Sequence, residues 1–127
     1  MNVTTNDMLD KAVHIISAIP AVEMDDASLA RDVVLLAYAW PDAEEFSAAV
    51  VGTCDALRAL TERRVEGTEL KYQFKGWRSF HYQHRKFRKA KADARIVYRR
   101  VDTGIQVWGF GGRHIPSDIY RRLSQLQ

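Results

Sequence analysis

The sequence predicts an α+β domain in which N-terminal helices pack on a small antiparallel β-sheet and a short helix ends the chain. Three observations predict it. Apolar residues recur at helical spacing before Gly67, and they alternate with polar residues in segments after it. The length of 127 residues suits one domain, 1–127, rather than two.

The acidic first half is predicted to be helical throughout. An extra N-terminal helix lies within 1–24 and a helical hairpin within 25–67. Pro20 and Pro41 separate the three helices, because proline breaks a helix interior. The third helix begins with a capping box at 42–45 and ends before the glycine at 67.

The second half, 68–127, is predicted to form the basic antiparallel sheet and the C-terminal helix. The alternating pattern of Glu69–Lys75 predicts a first strand. The basic stretch after it has no clear period, and could hold a strand around Phe80–Arg88 or a short helix.

Two further strands are predicted at Ala94–Val101 and Ile105–Phe110. The segment 102–104, Asp-Thr-Gly, joins them as a tight hairpin loop. A final helix of about ten residues is predicted from Pro116–Ser117 to Leu126.

Composition excludes several protein classes. No run approaches the ~18 consecutive apolar residues that span a bilayer, and the N-terminus carries acids where a signal peptide has basic residues. The single cysteine, Cys54, excludes an internal disulfide and a multi-thiolate zinc site. We therefore expect a cytoplasmic protein with no membrane segment.

Charge divides sharply along the chain. Residues 1–67 hold five Lys/Arg and twelve Asp/Glu, a net charge of −7. Residues 68–127 hold fourteen Lys/Arg and four Asp/Glu, a net charge of +10. Such a basic half is typical of proteins that bind polyanions. The alternative is that the acidic helices neutralise the basic sheet within one fold.

No pattern indicates a metal or a cofactor. His81 and His84 have neither a cysteine partner nor an HExxH pattern, so we interpret them as polar residues of a basic strand. The glycines of 109–113 do not form the GxGxxG motif, and they end a strand rather than open a βαβ unit.

The basic stretch from residue 71 to residue 122 is interleaved with aromatic residues. Lysine and arginine neutralise phosphates, and exposed aromatic rings stack on unpaired bases. This combination indicates nucleic-acid binding. The predicted RNA-binding residues are Lys71, Lys75, Arg78, His81, Arg85, Lys89, Lys91 and Arg99.

A sharper signal comes from two arginines and a tyrosine. The predicted hairpin brings Arg95 near Arg113, and the final helix delivers Tyr120 to the same surface. RNA cleavage without a metal needs a group that removes the 2′-OH proton, a group that protonates the leaving 5′-oxygen, and fixed cations around the phosphorane. Arginine suits the last role, because its planar guanidinium binds two phosphate oxygens at once.

These residues also carry a family resemblance. The segment ARIVYRRVDTGIQVWGFGGRHIPSDIYRRL resembles the C-terminal half of the RelE/ParE superfamily of bacterial toxins. The matching pieces are 95–98 (Arg-Ile-Val-Tyr), 111–113 (Gly-Gly-Arg) and 117–120 (Ser-Asp-Ile-Tyr). The resemblance covers roughly the last 45 residues and implies a RelE-like fold.

The resemblance implies roles for individual residues. Arg95 and Arg113 are expected to contact the scissile phosphate, and Tyr120 to position the nucleotide or take part in proton transfer. Lys86 and Arg88 correspond to basic residues of the preceding strand, a proposed general base among them. Other candidates for these positions are Lys89, Lys91, His81 and His84. The predicted catalytic residues are Arg95, Arg113, Tyr120, Lys86, Arg88 and His84.

The resemblance further implies the toxin of a toxin–antitoxin module, an endoribonuclease that cuts mRNA on the ribosome and needs no metal or cofactor. Its partners would be mRNA, the ribosome and a cognate antitoxin, and a homodimer is left open. ParE-like members inhibit DNA gyrase instead, and a noncatalytic nucleic-acid-binding module is a further alternative. The extension 1–24 is either a packing helix or a dimerisation or inhibitory element.

Overall fold

The computed structural model describes residues 2–86, 90–114 and 118–125. The helices are α1 (Asn6–Ser17), α2 (Asp26–Ala39), α3 (Ala43–Thr61) and α4 (Ile119–Ser124). The strands are β1 (Val22–Glu23), β2 (Thr68–Glu69), β3 (Arg78–Tyr82), β4 (Ala94–Val101) and β5 (Gly104–Gly112). The predicted α+β class, with helices before the sheet and a short helix after it, is confirmed.

Local capping explains where the long helices begin. The side chains of Thr5, Asp25 and Asp42 each accept a hydrogen bond from the backbone N–H three residues later. These bonds satisfy amides that have no partner inside the helix. Helix α1 packs through Ala12 and Ile16 into the main core, where both are almost fully buried. Within the described residues, no helix has both the length and the apolar composition needed to cross a bilayer.

The sheet has the order β1-β5-β4-β3-β2. Strands β2, β3, β4 and β5 pair antiparallel, as predicted. The two-residue strand β1 pairs parallel with β5 and makes the sheet mixed. Two residues are too few to show a periodic pattern, so β1 has no signal in the sequence.

The predicted strand Glu69–Lys75 is wrong. Only Thr68–Glu69 pair with β3, and Tyr72–Phe74 form a 3₁₀ turn instead. The alternation arises because Phe74 is buried while the residues around it lie at the exposed tip of the β2–β3 hairpin. The ambiguous stretch after it does contain a strand, but β3 starts at residue 78 and ends at residue 82.

The predicted β4–β5 hairpin is confirmed, with a loop one residue shorter. Val101 pairs with Gly104, so only the residues at 102 and 103 form the turn. Helix α4 begins after Asp118, whose carboxylate accepts hydrogen bonds from the amides of Tyr120 and Arg121. The predicted start of this helix at 116–117 and its predicted end at 126 lie outside the described residues.

The two faces of the sheet carry separate apolar clusters. Helices α1, α2 and α3 cover one face and form the main core with residues such as Val33, Leu57 and Phe110. The smaller cluster lies on the other face and joins α4 to the hairpin tip and β4. Its buried members are Phe74, Val97, Ile119 and Leu123.

A buried carboxylate on α2 fixes the position of α4. Asp32 accepts a hydrogen bond of 3.0 Å from the Phe110 amide. Its other oxygen lies 3.9 Å from the Arg122 guanidinium, which donates to the Phe110 carbonyl at 3.0 Å. Burial raises the pKa of Asp32 to about 6, although Arg122 and Arg31 oppose this shift.

We expect Asp32 to make stability depend on pH in weakly acidic solution. The raised pKa means that the folded state holds this proton more tightly than the unfolded state does. Its stabilisation is therefore complete below pH 3.8 and is lost as pH rises through about 6. The loss is on the order of 3 kcal/mol. Urea unfolding of wild type and Asp32→Asn between these pH values measures it, and parallel curves for the two proteins would contradict it.

Candidate active site

The sheet register places a histidine, an arginine and a glycine side by side. His81 on β3 pairs with Arg95 on β4, and Arg95 pairs with Gly111 on β5. Residues that pair directly share a face of the sheet. Arg113 follows the end of β5, two residues beyond this glycine, and so continues the same face.

Helix α4 adds a tyrosine to this face. The Arg113 guanidinium lies over the Tyr120 ring, 4.8 Å from its centroid. The Tyr120 hydroxyl hydrogen-bonds to Ser79 Oγ at 2.6 Å, and Ser79 precedes His81 by two residues on β3. The structure thus brings four residues to one face, and we name them the His81 cluster: His81, Arg95, Arg113 and Tyr120.

Several contacts fix the position of Arg113. Its guanidinium donates to the Asp118 carboxylate, which also caps α4. Its amide donates to the Asp93 carbonyl at 2.9 Å, and its own carbonyl accepts from the Ile119 amide at 3.1 Å. Arg113 is therefore positioned by the strand end and the helix start together, and its side chain is still 28% exposed.

Arg95 is held against the backbone of its own strand. Its Nη1 donates to the Ala94 carbonyl at 2.9 Å and to the Ala92 carbonyl at 3.3 Å. Its Nε is buried and has no hydrogen-bond partner among the described residues. An unpaired buried donor is costly, and the fold bears that cost at Arg95.

The electrostatic surroundings of His81 suit a proton acceptor. Partial burial lowers the pKa of His81 below 6.5, and the positive charges of Arg95 and Arg113 lower it further. A histidine with this shift is neutral at pH 7. Its side chain is nevertheless exposed, so a ligand bound at the two arginines would reach it.

His84, predicted to act in catalysis, lies outside the His81 cluster. Its Nε2 bonds to Glu45 and its Nδ1 to Asp93, both at 2.6 Å. Its ring stacks on Trp40 with centroids 4.2 Å apart, and only 8% of the residue is exposed. Both ring nitrogens are occupied by carboxylates, so His84 links the start of α3 to the segment before β4.

The other predicted basic residues before β4 are dispersed. Lys86 is exposed beside the groove between α3 and β3, and Lys91 is exposed near the start of β4. Arg85 forms an ion pair with Glu45 at 2.5 Å. The predicted catalytic residue Arg88 and the predicted RNA-binding residue Lys89 lie outside the described residues.

Two of the predicted RNA-binding positions, Lys71 and Lys75, are exposed at the tip of the β2–β3 hairpin. Arg78 pairs with Glu69 at 3.4 Å and, by the alternation of β3, lies on the opposite face from His81. Arg99 on β4 stacks over Trp77, with its guanidinium carbon 4.7 Å from the ring centroid.

A continuous chain of aromatic rings joins Arg99 to the His81 cluster. Trp77 contacts Trp108 at 5.0 Å, Trp108 contacts Phe74 at 5.1 Å, and Phe74 contacts Tyr120 at 5.9 Å between centroids. The sequence shows these aromatic residues but not that they share one face. That arrangement depends on a shift in the register of β4 against β5 between Val97 and Tyr98, where β5 contains one extra residue. No residue pattern in the sequence marks this shift.

Among the described residues, no group of three or more His, Cys, Asp or Glu side chains could hold a metal ion. Comparison of the chain with family models, with curated proteins and with solved structures gave no match. The site is therefore interpreted from its own geometry.

We expect NMR titration to show a His81 pKa below 6.5, and Arg113→Ala to raise it, because the variant removes a nearby positive charge. Arg121→Ala, which removes an exposed arginine of α4, is the matched control and should leave the His81 pKa unchanged. Equal values in wild type and Arg113→Ala would show that the two side chains are not close.

Proposed function

We propose that the protein is an endoribonuclease that cleaves single-stranded mRNA by attack of the ribose 2′-OH, without requiring a metal ion. One observation carries this proposal: a histidine with a lowered pKa lies beside two arginines and a tyrosine on one face of the sheet. These groups supply a base, two fixed cations and a hydroxyl, which is the set this reaction requires.

In the proposed reaction, neutral His81 removes the proton of the 2′-OH. The 2′-oxygen attacks the adjacent phosphorus in line with the leaving 5′-oxygen, and the P–O5′ bond breaks. The products are a 2′,3′-cyclic phosphate and a 5′-OH. The lowered pKa of His81 favours the neutral base at pH 7, although it also makes the ring a weaker proton acceptor.

Arg95 and Arg113 would stabilise the negative charge that builds up on the phosphorane. The carbonyls of Ala94 and Ala92 hold the Arg95 guanidinium in place on β4, so that it acts as a fixed cation. Arg113 is held in place by Asp118 before the substrate arrives, which lowers the cost of ordering it. Removing one such donor typically lowers kcat about 10²–10³-fold.

The Tyr120 hydroxyl would donate a proton to the leaving 5′-oxygen and recover one from solvent. Its hydrogen bond to Ser79 fixes its direction, and Arg113 over its ring stabilises the phenolate that forms briefly. Positioning of the nucleotide by the same ring is compatible with this role.

The wider proposal rests on the resemblance of 95–120 to RelE/ParE toxins. It assigns mRNA on the ribosome as the substrate and a cognate antitoxin as the protein partner. A noncatalytic nucleic-acid-binding module is the second candidate, because the aromatic chain and Arg99 extend the cationic face beyond the His81 cluster. The two candidates differ in whether a cleavage product forms.

We expect purified protein to cut mRNA in the presence of ribosomes and EDTA, and Arg113→Ala to reduce the rate at least about 10²-fold while the fold is retained. Arg121→Ala should cleave like wild type. Primer extension locates the cuts, and circular dichroism checks the fold. Intact RNA after incubation with wild type, both on ribosomes and free, would overturn the nuclease proposal.

We also expect the pH dependence of kcat/KM to identify the base. The rate should rise with pH through the lowered pKa of His81 and then level off, because only the neutral ring accepts the 2′-OH proton. His81→Ala should lose both this rise and about 10²–10⁴-fold in rate. A His81→Ala variant that keeps the wild-type profile would assign the base elsewhere.

A further inference from the structure

Tyr72 at the tip of the β2–β3 hairpin has two unusual properties together. The residue is 89% exposed, the highest value among the exposed large hydrophobic side chains in the described part of the chain. Its backbone has a φ of +58°, in the left-handed region that residues with a Cβ rarely adopt. An aromatic residue at such a position is strained and gains no burial in return, and this combination points to a functional role.

The loop that carries Tyr72 is well ordered by its own hydrogen bonds. The Leu70 amide donates to the Trp77 carbonyl at 3.0 Å, and the Lys75 amide donates to the Tyr72 carbonyl at 3.0 Å. Phe74 anchors the loop in the smaller apolar cluster. The exposed ring therefore projects from a defined support, which reduces the entropy cost of binding a ligand.

A cavity of about 430 Å³ lies beside this ring, within the range typical of small-molecule sites. Tyr72 and Trp77 contribute aromatic surface to its wall, and Lys71 and Lys75 contribute positive charge. Aromatic rings bind the faces of unpaired bases, and lysines bind the phosphates that link them.

We propose that this cavity binds one unpaired nucleotide of a single-stranded RNA, with its base stacked on Tyr72 and its phosphates at Lys71 and Lys75. The proposal deepens the ribonuclease proposal and rests on it for the identity of the ligand. The site holds a nucleotide flanking the cleaved bond rather than the bond itself, because no member of the His81 cluster lines the cavity.

The flanking site lies close enough to the His81 cluster for one RNA strand to contact both. The Phe74 ring is 5.9 Å from the Tyr120 ring, and the α-carbons of Tyr72 and Phe74 are at most about 7 Å apart. A strand whose scissile phosphate lies at Arg113 therefore reaches Tyr72 within a few nucleotides.

The test measures binding of a single-stranded 2′-O-methyl RNA, which lacks the attacking hydroxyl and stays intact, by fluorescence anisotropy. We expect Tyr72→Ala to weaken binding about 10-fold or more, and Tyr72→Phe to bind within about 2-fold of wild type. Tyr38→Ala is the matched control, because Tyr38 is also an exposed tyrosine, 68% accessible, but lies on α2. On cleavable RNA, Tyr72→Ala should raise KM and leave kcat unchanged.

Tyr72→Gly separates binding from stability. Glycine adopts a positive φ without strain, so this variant should lose affinity like Tyr72→Ala while its Tm stays equal or rises. Wild-type affinity in Tyr72→Ala would overturn the nucleotide site while leaving cleavage intact. Loss of affinity in Tyr72→Ala, with no cleavage by wild type, would support the site and overturn the nuclease. A wild-type protein that binds no single-stranded RNA would overturn the site.

Discussion

The candidate site depends on the contacts of the buried Asp32 carboxylate with β5 and α4. Helix α4 has only six residues, too few to be stable without tertiary contacts. Asp32 bonds to the Phe110 amide, and Arg122 reaches from α4 to the carbonyl of the same residue. The close approach also requires glycine at position 109, since a Cβ there would lie 2.5 Å from Leu123. This junction, together with the burial of Ile119 and Leu123, holds α4 where Tyr120 reaches Ser79 and Arg113.

The acidic first half of the chain neutralises part of the basic second half. Asp32, Glu45 and Glu66 pair with Arg122, Arg85 and Arg100 respectively, so internal neutralisation accounts for part of the charge division. Other arginines make different contacts. Arg95 bonds to backbone carbonyls, and Arg99 stacks on Trp77. The positive charge that remains lies on the face of the sheet that carries the His81 cluster, and a polyanion would bind there.

His84 shows how a residue that suits catalysis by type can serve the fold instead. Two carboxylates and the Trp40 ring surround it, and one of those carboxylates belongs to Asp93. The Asp93 carbonyl in turn accepts the Arg113 amide. His84 therefore supports the segment that positions Arg113, whereas His81, three residues earlier, is exposed beside both arginines. The strand β3 holds His81 and ends at residue 82, so His84 lies beyond the strand.

The sequence by itself determined the α+β class, the three long helices with the cap of the third, and the strands β4 and β5, because these depend on local periodicity and on side-chain bonds to nearby amides. It also predicted that Arg95, Arg113 and Tyr120 lie on one surface, because a hairpin joins the two arginine-bearing segments and a helix follows them. Only the tertiary structure decided that Glu69–Lys75 forms a turn and that His81 lies beside the two arginines. It also decided that Arg99 and the chain of four aromatic rings lie on one face of the sheet. These outcomes depend on burial and on the pairing register of strands that are distant in the sequence. Local residue patterns do not specify either of them.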